Sequence, residues 1–493
     1  MNSFNTLDEP WIPVLTSEGR AEEVGIRKAF YNAADYSKIR DEDPLQKIAI
    51  IRLLTAFLSD AYHLESRSDR KKLLDKGTFD KEVIEKYIRH CVDDCGASFD
   101  LFDEKRPFMV QKYDAEKDVT VKSAANICIT VPSGNNPLHF HHINDADFEG
   151  LTPAQALRNV LSTYLFAPAM SGGYPSSVNN TPPVYNAPSA SNLFEQLVMC
   201  MRSIRELGNI SLDSVPASWN SSESVIPGKK ASEVSFLSAM TFESRRIVLI
   251  QDEDEIIRKC YFSPGIDFRG NDLWKDPFAA YVKNKDGNFV TLKPQEGRDL
   301  WRDIGNITAS RQSIPPAVLY PLREERNENV FSVGLITNQA LMVQVLMDQI
   351  SIPQKLMENE DLSDQIVSDM SLIESVFQKI SAFKDSHGDW KGTFAEVHDI
   401  VPDMQMIYLT ETHNMLTSSY FQEVADADLD TEDWPEVLRK DLTEKLNQII
   451  GDVCRVAENH AGSWKDIKQT EIALHNFRFH VNSVLKKSRG ENE

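Results

Sequence analysis

The last third of the chain carries the pattern that most restricts how it folds. Beyond residue 360, apolar residues recur at steps of three and four in four successive segments separated by polar connectors. Such spacing gathers apolar side chains on one face of each helix, and four faces of this kind bury one another in a bundle. The sequence therefore predicts a four-helix bundle over residues 361–493, with Pro402 kinking the second helix or marking its start. The repeating positions are Ile366, Met370, Ile373 and Phe377; Val397, Val401, Met404 and Tyr408; Trp434, Leu438, Leu442 and Leu446; and Phe477, Val481 and Val484.

The first 360 residues show no single pattern of this kind. Residues 44–64 have helical spacing with one buried face. Two prolines within residues 7–14 forbid a helix there and favour an edge strand. The turn dipeptide Asp286-Gly287, set between two apolar stretches, indicates a β-hairpin. The predicted fold class is therefore α+β, with a large mixed α/β N-terminal domain over residues 1–360 followed by the bundle.

The charge balance limits how this chain can interact with nucleic acid. It has 53 Lys and Arg against 75 Asp and Glu, a net charge of −22. Because phosphate contacts need basic side chains, this composition argues against broad binding to a nucleic-acid backbone. Any contact with DNA is expected to use local basic patches, while partner proteins supply the main positive channel.

Composition also predicts the compartment and the state of the cysteines. No run of 18 apolar residues is present, and the first residues lack the basic and apolar blocks of a signal peptide, so we expect a cytoplasmic protein that does not engage a membrane. The six cysteines form no Cys-x-x-Cys pair. They are predicted to be reduced and mostly buried thiols, neither a disulfide framework nor a cysteine zinc site.

Two adjacent amides follow a glycine in the stretch Gly334 to Ala340. We interpret this stretch as a glycine turn that presents Asn338 and Gln339 ahead of an apolar run. Amide side chains carry both a donor and an acceptor, which suits them to the edges of bases, including the degenerate minor groove. The alternative is an ordinary helix start that Asn338 caps.

Two further polar loops stand out in the middle of the chain. Gly172 and Gly173 are adjacent, and glycines allow a backbone to approach another surface closely; the alternative is a plain flexible loop. The second loop, residues 131–148, is either a hydrogen-bonded contact loop or a metal site, since histidine and carboxylate are metal ligands. Its candidate ligands are His139, His141, His142, Asp145 and Asp147.

Taken in order, these landmarks resemble the CasA family, the large subunits of the type I-E CRISPR surveillance complex called Cascade. Each motif is short, and their order and spacing along the whole chain carry the resemblance. The matching stretches are Trp11–Val14, Pro107–Gln111, the loop near 131–145, the pair Gly172-Gly173, the triplet Asn338-Gln339-Ala340 and the terminal bundle.

The resemblance implies a non-catalytic DNA-recognition subunit. Such a subunit reads the protospacer-adjacent motif (PAM) of target double-stranded DNA from the minor-groove side, starts strand separation and supports recruitment of a helicase-nuclease. Its implied partners are the other Cascade subunits and the guide CRISPR RNA. Carried over to this sequence, Gln339 is a wedge that enters the duplex, with Asn338 and Ala340 beside it. Gly172 and Gly173 form the glycine loop that lies against the motif.

The resemblance also implies a lysine finger, a loop that reaches the guide, and in some members a zinc site. Lys259 and Arg269 are the candidates for the finger, ahead of the segment that ends at Trp274. The residues implied to face the 5′ handle of the guide are Ser133, Gly134, Asn135 and Asn136. Some members hold zinc with cysteines from this loop and from the region near 250–255. This sequence has no cysteine in either place, so we predict neither a metal nor another cofactor.

Two other functions stay open from the sequence. One is a metal-dependent nuclease or phosphohydrolase built on the His139–Asp147 cluster, which predicts bound transition metal and chelator-sensitive cleavage. The other is an assembly scaffold in which the bundle is the working part and the loops are incidental.

Overall fold

The fold combines helices with several small antiparallel sheets, which confirms the predicted α+β class. A computed structural model describes residues 3–40, 42–131, 148–223, 225–226, 228–268, 274–323, 328–338, 341–460 and 464–488. Within these ranges it contains fourteen strands and thirteen α-helices.

Short strands and helices alternate along the first two thirds of the chain, and helices dominate the last third. The strands are β1 Ile12–Thr16, β2 Ala21–Val24, β3 Tyr36–Ile39, β4 Val121–Ser123, β5 Tyr185–Pro188, β6 Arg245–Gln251, β7 Ile257–Pro264, β8 Tyr281–Lys283, β9 Phe289–Thr291, β10 Ser313–Ile314, β11 Glu328–Asn338, β12 Leu341–Ile352, β13 Phe383–Lys384 and β14 Trp390–Lys391. The helices are α1 Ile26–Tyr31, α2 Pro44–Tyr62, α3 Arg67–Lys76, α4 Lys81–Arg89, α5 Pro153–Phe166, α6 Leu193–Cys200, α7 Phe236–Met240, α8 Gln354–Glu358, α9 Glu360–Phe377, α10 Val401–Met415, α11 Phe421–Asp426, α12 Trp434–His460 and α13 Trp464–Ser488.

The N-terminal strand does not occupy the predicted edge position. β1 lies between β2 and β3, with Pro13 opposite Glu23 of β2. On its other side, the carbonyl of Pro13 accepts a hydrogen bond from the backbone N–H of Arg40 at 3.0 Å. A proline removes only one donor, and this short strand keeps its remaining pairings on both sides. The expectation of an edge strand is therefore wrong.

Helix α2 is the centre of the N-terminal core. Asp43 caps its start by accepting from the backbone N–H groups of Leu45 and Gln46. The helix is buried from Ile48 through Ser59 and packs against α5, α6, α7 and β11. The helix predicted over residues 44–64 is thus confirmed, but burial extends around it rather than along one face. The predicted hairpin at Asp286-Gly287 is also present, between β8 and β9.

The four C-terminal segments form helices that pack on one another. Helix α12 contacts α9, α10 and α13, and α13 also contacts α9. Pro402 sits in the first turn of α10, so it marks the start of this helix. The bundle is tied to the preceding region, because Glu374 of α9 accepts hydrogen bonds from Arg298 at 2.7 Å and from Arg302 at 2.5 Å. The domain boundary at residue 360 stays a prediction.

Five of the six cysteines are buried and all six are free, as the sequence predicts. In the part of the chain that the structure describes, no helix combines the length and apolar character needed to cross a bilayer.

Candidate nucleic-acid interface

The stretch around Gly334 is a long β-hairpin and not a glycine turn. β11 and β12 pair in antiparallel register from Glu328 opposite Ile352 to Asn338 opposite Leu341. Gly334 lies within β11, where a Cβ atom would come within 2.8 Å of the Pro294 side chain. The glycine is therefore required for close packing and does not reverse the chain. The glycine turn and the alternative of a helix capped by Asn338 are both wrong, because strand pairing overrides the local turn signal.

Asn338, the first amide of the motif, is nevertheless exposed at the end of β11. β11 is buried from Val330 through Ile336 and becomes exposed at Asn338. Gln339 and Ala340 join the paired residues Asn338 and Leu341 in the chain, and they lie outside the described residues. Of the amide motif, the structure therefore describes only Asn338, which is exposed.

A bulge near this end changes the direction of the strands. Ile336 pairs with Gln344 and Thr337 with Met342, so Val343 is an extra residue on β12. Such a bulge increases the local twist and re-aims the residues beyond it. The third strand of the sheet, β5, pairs with β11 only as far as Val333. At about 3.3 Å per residue, Asn338 lies roughly 17 Å along β11 beyond that last pair.

The two glycines at 172 and 173 form the tip of a tight loop. Their φ angles are +78° and +82°, a left-handed region that favours glycine. Both residues are exposed, and a Cβ added at Gly173 would meet nothing within 4 Å. The loop is closed below them by a backbone hydrogen bond from Met170 N–H to the carbonyl of Tyr174 at 3.2 Å. The tip therefore presents bare backbone to the solvent.

The base of this glycine loop is held firmly, which argues against the alternative of a plain flexible loop. The Tyr174 hydroxyl accepts from Lys122 Nζ at 2.8 Å and donates to the carbonyl of Phe262 at 3.0 Å. Fully buried Arg245 donates to the carbonyls of Pro175 at 2.5 Å and Pro168 at 2.6 Å. Burial lowers the pKa of Arg245 to about 10.

A largely buried polar network joins Asn179, which follows the glycine loop in the chain, to β5, the strand beside the hairpin. Asp276 accepts from Arg52 Nη1 at 2.6 Å and from Asn179 Nδ2 at 2.6 Å. Asn179 also donates to the hydroxyl of Tyr185, the first residue of β5, and Tyr185 pairs with Val333 of β11. The segment after the glycine loop and the strand beside the hairpin are therefore held by one connected set of side chains. Sequence reasoning missed this network, because its members are scattered along the chain and no local motif marks them.

Of the two lysine-finger candidates, Lys259 and Arg269, only Lys259 lies within the described residues. Lys259 is exposed on β7, paired with Ile250 of β6 and Ser123 of β4, so it sits in a sheet rather than on a loop. Arg269 lies outside the described residues. The finger assignment stays a prediction for both residues.

The remaining loop predictions also fall outside the described residues. These are the guide-handle residues Ser133, Gly134, Asn135 and Asn136 and the candidate metal ligands His139, His141, His142, Asp145 and Asp147.

Elsewhere in the described ranges, one group has atoms close enough to share a metal ion, namely Asp60, His63 and Asp213. His63 lies 3.4 Å from Asp60, whose hydrogen bond raises the pKa of the imidazole. An ordinary ion pair accounts for this group.

Comparison with known proteins then decides the family. Residues 5–451 match the family model of the CRISPR-associated protein Cse1.

The chain belongs to the Cse1 family.

Individual relatives agree with this assignment, which confirms the resemblance to CasA. A CRISPR-associated protein CasA/Cse1 of Thermus thermophilus is 27% identical over 382 residues, 72% of each chain. The crystal structure of Cse1 from Acidimicrobium ferrooxidans superposes with a TM-score of 0.75 at 16% identity, covering 100% of this chain and 99% of that one. A chain from a structure described as a CRISPR RNA-guided surveillance complex gives a TM-score of 0.68 at 15% identity, covering 98% of this chain and 100% of that one. At these identities, the structural matches show a shared Cse1 fold.

Proposed function

We propose that this Cse1-family chain is the non-catalytic large subunit of a type I-E CRISPR RNA-guided surveillance complex. In this role it recognises the PAM of target double-stranded DNA, starts strand separation and supports recruitment of a helicase-nuclease. The observation that carries the proposal is the hairpin, in which Asn338 of the amide motif is exposed at the end of β11, beyond the buried part of the strand. The similarity to a chain of a described surveillance complex supports the same role.

The chemistry of the two elements fits the first step of duplex opening. A guide cannot pair until a few base steps have come apart, and separating each step costs on the order of a few kcal/mol. Gln339 at the hairpin end acts as a wedge, with Asn338 and Ala340 beside it, and an amide can bond to the freed base edges. Gly172 and Gly173 let the backbone approach the groove, while Lys259 and Arg269 are the candidates for a phosphate contact.

Only the first steps need help from this subunit. Once pairing has begun, a guide–target heteroduplex is nearly balanced against the DNA duplex that it replaces. A few local contacts therefore suffice, which is compatible with a net charge of −22. The proposed partners are the other Cascade subunits, the guide CRISPR RNA, target double-stranded DNA and the helicase-nuclease. We propose that Ser133, Gly134, Asn135 and Asn136 face the guide handle, and that the complex acts in the cytoplasm.

The test is R-loop formation by the assembled complex. We expect Gln339→Ala to slow R-loop formation on a PAM-bearing duplex by about tenfold or more, the effect of one lost base-edge contact. Binding of this variant to the guide-loaded complex should not change. Gln349→Ala is the matched control, because Gln349 is exposed on the same hairpin, opposite Phe331 and far from the end. Normal R-loop formation by Gln339→Ala would remove the basis for the wedge.

A further inference from the structure

A cavity of about 580 Å³ opens on the N-terminal part of the chain. Its walls come from described residues within 105–112, 214–223, 225–226 and 229–233, and from residues near 242 and 268. Among the described residues that line it, none belongs to the hairpin or the glycine loop. The cavity is thus distinct from the elements to which we assign PAM recognition.

The cavity contains a carboxyl group that is unusually well buried. Glu243 is 7% exposed and lines the cavity. Its carboxyl accepts a hydrogen bond from Gln111 Nε2 at 2.5 Å, and Gln111 is itself fixed because its Oε1 accepts from the backbone N–H of Val225 at 2.9 Å. Burial raises the pKa of Glu243 to about 7. A ligand that brings further N–H donors to this group would stabilise its ionised form and lower this pKa.

Aromatic side chains lie beside this carboxyl. Phe242 precedes Glu243 in the chain, lines the cavity and is only half-buried. It packs edge-to-face on Phe268, with ring centroids 4.9 Å apart, and this contact fixes its orientation. A planar ligand that reaches Glu243 can therefore stack on a ring that is already held in place.

The cavity lining is basic, although the chain as a whole is strongly acidic. Five basic side chains face three acidic ones in the lining, within a protein of net charge −22. The basic residues are Lys105, Arg106, Lys112, Lys229 and Lys230, and the acidic residues are Glu223, Glu233 and Glu243. Lys229 lies 3.6 Å from Glu223, and Arg106 donates to the carbonyls of Trp219 and Ser221. The excess of basic side chains attracts phosphate groups and disfavours a cationic ligand such as an arginine-bearing peptide.

We propose that this cavity binds a guanine base of a single-stranded nucleic acid. The Watson–Crick edge of guanine presents two adjacent N–H donors, which match the two oxygens of Glu243 in its ionised form. The oxygen that accepts from Gln111 keeps a further lone pair for one of these donors. The base stacks on Phe242, and the phosphates on either side of it lie near the lysines of the lining. RNA and DNA share this chemistry, so the test includes both. The inference does not depend on the proposed role in PAM recognition.

The experiment measures the affinity of the full chain for fluorescein-labelled pentanucleotides by anisotropy at pH 8, above the pKa of Glu243. Each oligonucleotide carries one central guanine, adenine, cytosine or uracil in a uridine background, with deoxy versions in parallel. We expect the guanine oligonucleotide to bind about tenfold more tightly than the others, the effect of one bidentate base contact. A higher affinity of the RNA than of the DNA oligonucleotide assigns the ligand to RNA, and the reverse assigns it to DNA. Equal affinity for all four bases, or Glu243-dependent binding of an oligoarginine peptide instead, would overturn the proposal.

Three variants separate the parts of the site. Glu243→Gln should abolish most of the guanine preference, because an amide keeps a single acceptor oxygen. Lys112→Ala combined with Lys230→Ala should weaken all oligonucleotides alike and leave the base preference intact, because lysines contact phosphates. Glu233→Gln, a change at another acidic residue of the lining, is the matched control and should leave the preference unchanged. An unchanged preference in Glu243→Gln contradicts the proposal.

Two further measurements keep the test decisive. If Glu243→Gln does not fold, competition on the wild-type chain replaces it: guanosine monophosphate should displace the guanine oligonucleotide, and adenosine monophosphate should not. Displacement by both nucleotides alike would count against a guanine site. Gln339→Ala should leave all of these affinities unchanged, so the failure of this proposal and the failure of the wedge are distinguishable.

Discussion

Arg52 of α2 donates through Nη1 to Asp276 at 2.6 Å, and neither side chain is more than 3% exposed. This buried pair ties the central helix to the segment that holds Asn179 and, through it, to Tyr185 at the start of β5. The strand that pairs with the hairpin, β5, is therefore linked to the central helix through an ion pair deep in the core.

We expect Asp276→Asn to destabilise the fold by about 3–5 kcal/mol, because it leaves the Arg52 guanidinium buried without a counter-charge. The measurement is chemical denaturation of the purified chain. Glu18→Gln is the matched control, since the ion pair of Glu18 with Arg20 is exposed, and no measurable change is expected there. Equal small effects of both substitutions would show that the buried pair does not hold this region together.

Gly334→Ala should destabilise the protein by about 1–3 kcal/mol, because the new methyl group would lie 2.8 Å from Pro294 within a packed strand. Gly451→Ala provides a control of opposite sign. Gly451 is exposed within α12 with nothing within 4 Å of a Cβ, so alanine should stabilise the helix by about 0.5–1 kcal/mol. Thermal unfolding of the two variants checks both signs, and a stable Gly334→Ala would mean that the hairpin stem is more loosely packed than the structure shows.

Alanine at Gly173 should reduce the affinity of the assembled complex for PAM-bearing DNA by about tenfold, because a methyl group would stand between the backbone and the groove. The left-handed conformation also costs about 1 kcal/mol of stability for a residue with a Cβ. Gly287→Ala separates the two effects, since Gly287 has a φ of +80°, has nothing within 4 Å and lies in the β8–β9 turn. It should show the stability loss without the loss of DNA affinity. Identical DNA binding by the two variants would argue against a contact at the glycine loop.

The buried carboxyl of Glu243 should make stability depend on pH. Burial raises the pKa of Glu243 from 4.5 to about 7, so the folded state holds a proton that the unfolded state has already released between these values. The contribution to stability is complete below pH 4.5 and is lost as the pH rises through 7, by about 3 kcal/mol in total. Glu243→Gln should remove this component and become more stable relative to wild type at pH 8 than at pH 5. Denaturation curves across this range test the sign, and parallel pH profiles for the two proteins would falsify the assignment.

Local sequence patterns were sufficient to predict the helices and the fold class. The spacing over residues 44–64 and in the four terminal segments predicted α2, α9, α10, α12 and α13, because a helix buries a face that its own sequence defines. Pro402 marked the start of α10 for the same local reason.

The positions and pairing of the strands, in contrast, depend on contacts between residues that are far apart in the sequence. Gly334 looks like a turn in isolation, and only pairing with Leu346 of β12 and packing on Pro294 make it part of a strand. Pro13 looks like an edge residue until β3 adds to the other side of β1.

The sequence alone determined the helical bundle, the mixed N-terminal region, and the glycine and amide motifs as candidates for DNA contact. Only the tertiary structure brought Arg52, Asn179 and Asp276 into one network, and only it placed Glu243 among aromatic rings and lysines. Helical periodicity can be recognised in a short stretch of sequence. The partners of a buried charge come from distant segments that no local pattern connects.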